Sequence, residues 1–192
     1  MNPLILASAS PRRTVLLKQW NITHRVVPSH ALELTQETAP YLTAIELAQA
    51  NAFLKAKQVA KLYSEHWVLG VDTIVVYRNK VFGKPHDLRE AKSMLQRFNG
   101  KTHQVVSGLA LVKYKCSNFL CYLSFEISYV TFKVLSSEQI ESYLKRVPVL
   151  DKAGAYAVQE KGDWMIQSIE GSVSNVIGLP KRKTLRLLHK VS

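Results

Sequence analysis

Cysteine is almost missing: Cys116 and Cys121 are the only two in 192 residues. Two are too few for a secreted disulfide scaffold, and their spacing fits no zinc pattern. Free thiols on neighbouring strands are expected. The six histidines are scattered, with no H-E-x-x-H and no pair at ligand spacing, which argues against a histidine-built metal centre. No apolar run reaches spanning length, so no transmembrane helix and no membrane partner are expected. The opening "LILASAS" has the small residues of a signal-peptide cleavage site but lacks a basic leading segment and a long enough apolar stretch. A cytoplasmic protein is expected. Neither G-x-x-x-x-G-K-[ST] nor G-x-G-x-x-G occurs, so the common glycine-rich phosphate loops are absent. No repeat, low-complexity tract or Gly/Ser/Pro-rich linker interrupts the chain. Residues 1–192 therefore read as a single domain, or as two closely merged lobes.

Acidic residues are the other scarcity, 14 against 26 Lys and Arg, for a formal charge of +12. Such a balance favours polyanions: nucleotides, nucleic acid or an acidic surface. Part of the excess sits in "KRKTLRLLHK", best read as a C-terminal helix whose cations suit the negative end of its dipole. The charge does not choose among the three, and no recognition motif supports nucleic acid. A hydrophobic fraction of 47% is ample for a packed core.

Periodicity supplies the elements. Leu4 to Ala7 reads as a short buried strand and Pro11 to about Trp20 as a helix, with Asn21 in a left-handed cap. "THRVVP" suggests a second strand. A long helix is predicted from about Tyr41 to Tyr63, with Ile45, Ala48, Ala52, Ala56 and Val59 at helical spacing. "WVLGVDTIVVYRNKVFGKP" reads as two strands joined at Arg78-Asn79. "DLREAKSMLQRF" is a helix capped by Asp87, with Glu90 in the capping-box position. Two long strands from Gln104 to Val134 meet near Ser117-Asn118, and Ser136 caps the next helix. A strand over Trp164 to Ile169 and a closing helix follow. Hairpins break the βαβ alternation, which predicts an α/β domain with a mixed sheet.

Five stretches carry chemistry. In "LASASPRR" Ser10 and Pro11 start a helix, yet Arg12 and Arg13 occupy its first turn, against the dipole. A strand running straight into a helix N-terminus, with Ser8, Ser10 and two guanidiniums beside it, suits a phosphate. In "LGVDTIVV" Asp72 sits inside an apolar strand, and a buried carboxylate is costly unless paired, hydrogen-bonded or metal-bound. "FGKPHD" fixes Lys84 on a Gly-Pro turn. "DKAGAYAVQ" sets Asp151, Lys152 and Gln159 around small residues that allow close backbone approach. "GSVSNVIGLPK" reads as a mainly structural break before the last helix.

Together "LILASASPRR", "VLGVDTIVV", "GKPHDLREAKSML", "NGKTHQVVSGLALV", "DKAGAYAVQ" and "SNVIGLP" resemble the Maf family of nucleoside triphosphate pyrophosphatases, in family order and over nearly the whole chain. The resemblance implies a mixed, twisted sheet flanked by helices in two lobes with a central cleft, akin to inosine triphosphate pyrophosphatases. It implies hydrolysis of a nucleoside triphosphate to the monophosphate and pyrophosphate, with a divalent metal (Mg²⁺ or Mn²⁺), usually in a homodimer. Arg12, Thr73 and Gln159 match the branch that prefers dTTP and UTP. A Gln carboxamide offers the donor and acceptor that a thymine or uracil edge needs. On this resemblance Asp72 is the general base or a metal ligand, and Glu33 a further catalytic acid and metal ligand. Arg13 and Lys84 neutralise phosphate charge, and Ser8, Ser10 and Lys152 complete the substrate contacts.

The chain also departs from the family pattern. Leu32 replaces a second acid beside Glu33, and "ELAQANA" puts Glu46 for an arginine and Asn51 for a lysine associated with the active site. Lys55 lies one turn on, on the same helical face. Ala157 and Glu160 stand where glycines are common, and Lys181 where an apolar residue is usual. A slow enzyme, or a Maf-like nucleotide-binding protein acting as a cell-division regulator, is the alternative expectation.

Overall fold

A computed structural model describes residues 3–158 and 163–191. In chain order the elements are β1 (Leu4–Ala7), α1 (Pro11–Gln19), β2 (His24–Val26), α2 (Ala44–Ala60), β3 (Val68–Tyr77), β4 (Lys80–Phe82), α3 (Leu88–Phe98), β5 (Thr102–Lys115), β6 (Asn118–Phe132), α4 (Ser137–Arg146), β7 (Ile166–Glu170), α5 (Val173–Ile177) and α6 (Lys181–His189). Seven strands run in the order β2-β1-β3-β5-β6-β7, with β4 on β3. β1 is parallel to β2 and β3, whereas β3–β4 and β6–β7 are antiparallel, so the sheet is mixed as expected. The chain forms two compact units: one holds the residues up to Thr73, Ser107–Glu126 and those from Gly178 on; the other holds Ile74–Val106 and Ile127–Ile177.

Most boundaries follow the predicted chemistry, and the differences have local causes. Asn21 does take a left-handed conformation after α1, at φ +56°. α2 starts at Ala44 rather than near Tyr41, because Thr43 and Glu46 form a reciprocal capping box. Asp87 caps α3, but the Glu90 carboxylate accepts from the His86 N–H instead of the Asp87 N–H. The β5–β6 turn is centred on Cys116 and Ser117, both at positive φ, one residue earlier than expected. Cys116 therefore lies in a turn and not on a strand; both thiols are free and exposed. A 3₁₀ turn over Asp163–Met165 delays the last strand to Ile166.

In the first unit, α2 lies against the sheet with almost no side chain between. Its Ala52 and Ala56 join Ile5, Ala7, Val68, Ala110 and Val112 in one buried cluster. Gly70 on β3 and Gly108 on β5 face it. A Cβ at Gly70 would stand 2.0 Å from the Ala52 carbonyl oxygen, and one at Gly108 2.3 Å from that of Ala48. Both obstacles are helix backbone, which cannot swing aside as a side chain would.

The second unit packs α3 and α4 onto an aromatic core of Phe98, Phe132, Tyr143 and Tyr156. His103 is part of it, stacked on Phe98 at 4.6 Å with Nε2 2.9 Å from the Tyr156 hydroxyl. Burial pushes its pKa down from 6.5 to about 3. The neutral ring is the folded form, so below pH 6.5 the unfolded chain gains a proton that the folded chain refuses.

Two outcomes follow. Gly70→Ala should lower stability by about 3 kcal/mol or more, the upper end for overpacking, and the thermal midpoint by roughly 6–12 °C; a midpoint equal to the parent's would show that α2 can retreat. Stability should fall as pH drops from about 6.5 towards 3. His103→Phe should weaken at pH 7 yet show a shallower acid loss in urea unfolding, and parallel pH profiles would remove His103 as the cause.

Candidate active site

Strand alternation on β3 decides which side chain goes where. Successive residues point to opposite faces, so Asp72 shares the α2 face with Gly70, while Thr73 takes the other face. On β5, Gly108 and Ser107 divide in the same way. The close seat of α2 brings Asn51 and Lys55, one turn apart, onto Asp72.

Asp72 is buried, at 5% exposure. Its Oδ1 accepts from Lys55 Nζ at 2.6 Å, and its Oδ2 from Asn51 Nδ2 at 3.3 Å. The same Lys55 ammonium pairs with Glu33 Oε1 at 2.8 Å. Glu33 stands in the loop between β2 and α2, and Asn51 ties that loop down: its Oδ1 accepts from Leu34 N–H at 2.7 Å and its Nδ2 donates to Leu34 C=O at 3.0 Å. Gln58 makes a second tie through Ser29 and His30. Leu32, beside Glu33, points to solvent at 92% exposure.

On the Thr73 side, Arg13 turns into the protein. Its Nε donates to Gly178 C=O at 2.9 Å, its Nη1 to Ser8 Oγ at 2.7 Å and its Nη2 to Thr73 Oγ1 at 3.2 Å. Thr73 Oγ1 also lies 2.9 Å from Ser107 Oγ. Burial pushes the Arg13 pKa down to about 10, opposed by the nearby Asp72 carboxylate, and the guanidinium remains charged at neutral pH. Ser10 N–H donates to Ser8 Oγ at 3.2 Å, while its hydroxyl makes no capping bond to α1 and no acid enters the first turn. Arg12 is half-buried at the start of α1.

The first unit thus assembles Ser8, Ser10, Arg13, Glu33, Asp72 and Thr73. Lys84 and Lys152 belong to the second unit, where each is placed by its own turn. Gly83 C=O accepts from Gly154 N–H at 2.9 Å, fixing the turn that exposes Lys84. Lys152 is buried, with Nζ on Pro148 C=O and on Asp151 Oδ1. Gln159 lies outside the described residues. Sequence reasoning missed the Gly178 carbonyl, Ser107, and Asn51 as a loop clamp. The only available signal was Asn51 itself, a polar residue on an otherwise alanine-rich helix face.

Glu33 and Asp72 supply hard carboxylate oxygens, the donor type for Mg²⁺ or Mn²⁺, which takes its other ligands from water and phosphate. The donor set fits such a cation in kind. No group of three or more His, Cys, Asp and Glu suited to a metal occurs among the described residues.

A family model described as Maf-like protein matches residues 3–191. The chain belongs to the Maf family. Among curated relatives, the dTTP/UTP pyrophosphatase of Bacillus cytotoxicus is 42% identical over 189 residues, 98% of this chain and 95% of the relative. Proteins of the same description from Bacillus cereus and Bacillus anthracis are 40% and 39% identical over the same shares. The mixed α/β architecture inferred from the sequence agrees with this membership.

Asn51→Ala should cost about 1–3 kcal/mol in denaturant unfolding, because it strips partners from Leu34 and Asp72 together. Hydrogen exchange at the Leu34 amide should accelerate; an unchanged rate would show that the loop is held by other contacts.

Proposed function

We propose that this Maf protein hydrolyses dTTP, UTP or a related nucleoside triphosphate at the α–β phosphoanhydride, yielding the monophosphate and pyrophosphate. The observation that carries the reading is a fixed cation beside a fixed base: buried Arg13 is held by three protein oxygens, one of them on Thr73, the chain neighbour of the buried Asp72. The names of the Bacillus relatives supply the substrate class.

Asp72 accepts the proton of the water that attacks the α-phosphorus. Arg13 has five N–H donors, of which three are committed to Ser8, Thr73 and Gly178. The others, with Ser8, Ser10 and the α1 amides, receive phosphate oxygens. Lys84 neutralises the departing pyrophosphate, and Lys152 takes part in substrate binding. Arg12, Thr73 and Gln159 set the preference for a pyrimidine base. A divalent cation held by Glu33 and Asp72 would lower the charge of the triphosphate when bound. A homodimer working in the cytoplasm completes the reading.

Pyrophosphate release across a nucleotide panel, with Mg²⁺ or Mn²⁺, tests it. dTTP and UTP should exceed purine triphosphates at least about tenfold, and Asp72→Asn should lose about 10²-fold or more in kcat. Absence of turnover for every nucleotide sinks the enzyme reading, and an Asp72→Asn variant as active as the parent removes Asp72 as base.

A further inference from the structure

Both oxygens of Asp72 are already engaged, Oδ1 by Lys55 and Oδ2 by Asn51. The Lys55 ammonium sits between the two carboxylates to which the cation is assigned, 2.6 Å from Asp72 and 2.8 Å from Glu33. Its side chain is only 13% exposed, whereas Glu33 is 48% exposed. A lysine ammonium and a divalent ion there would repel each other across a shared pair of ligands, in surroundings that screen charge less than water does. One must yield. Lysine has a flexible four-carbon stem and three rotatable donors, and the half-exposed Glu33 side gives it a route outward.

We propose that Lys55 is the resident cation of this site: its ammonium holds Glu33 and Asp72 together, and a divalent cation binds the pair only by displacing it. Metal affinity is then set by a competition within the chain. Asn51 takes no part in that exchange; it keeps the Glu33 loop and Asp72 in place whichever cation is present. This inference rests on the proposed assignment of the cation to Glu33 and Asp72, and not on turnover.

Equilibrium Mn²⁺ binding to the full chain without nucleotide, followed by electron paramagnetic resonance of free Mn²⁺, tests it. Lys55→Met keeps the stem and removes the charge. Its Mn²⁺ affinity should exceed the parent's at least about tenfold, equivalent to about 1.4 kcal/mol. The variant's thermal midpoint should lie below the parent's in chelator and rise further on adding Mn²⁺. Equal or weaker Mn²⁺ binding by Lys55→Met, or binding by neither protein, overturns the proposal. If the variant does not fold, reductive methylation of the parent, read by mass spectrometry, replaces it. Saturating Mg²⁺ should accelerate labelling of Lys55 several-fold while exposed lysines stay constant, and an unchanged or slower rate overturns the proposal. Neither readout involves hydrolysis, so a chain that turns over no nucleotide can still show the exchange, and an active one can fail to show it.

Discussion

The absence of a Cβ at Gly70 and Gly108 is the constraint on which the first unit depends. It lets the backbone of α2 lie against β3 and β5 at a distance that no other residue pair permits. The contact from Asn51 to Asp72 requires that distance. Asn51 is short, and its amide reaches Asp72 and Leu34 at once only because the helix is so near. The alanines at 48, 52 and 56 are the complement of the glycines: small on the helix where the sheet is bare. Here packing and chemistry are one requirement, since a larger side chain in the seam would move the carboxylate's partners outward.

Arg13, at the start of α1, finds its explanation in the opposite direction from the helix dipole. Arg13 leaves the helix end and enters a set of oxygens from three separate parts of the chain: Ser8, Thr73 and Gly178. Opposing the dipole costs a few tenths of a kcal/mol up to about 1 kcal/mol at a helix end. A charge-assisted hydrogen bond returns about 1.5–3 kcal/mol, so the cost is readily offset.

Much of this was legible in the sequence because it is local. Asn21, Asp87 and Ser136 mark helix ends through bonds made within a few residues, and the structure places them where their chemistry predicts. Asp72 was legible because a carboxylate in an apolar strand is a visible anomaly. What could not be read was set by distant pairing. The Gly178 carbonyl meets Arg13 across 165 positions, and a backbone oxygen leaves no mark in composition or spacing. Asn51 looked like a lost cation, because a side chain's role as a clamp depends on a loop whose path the sequence does not draw. The β5–β6 turn slipped by one residue since Cys116, Ser117 and Asn118 offer no glycine to fix it.

The position of Lys55 bears on how such sites change over time. A residue four places further along α2 begins about 6 Å higher on the helix axis, yet its ammonium reaches the same two carboxylates. A long, flexible stem makes the positive charge portable by one turn, whereas a carboxylate on a strand is fixed by the pleat to a single spot. Chains of this architecture can therefore drift in which residue supplies the cation while holding the acid still. A look at position 51 alone would miss the ammonium that Lys55 brings to Glu33 and Asp72 from one turn away.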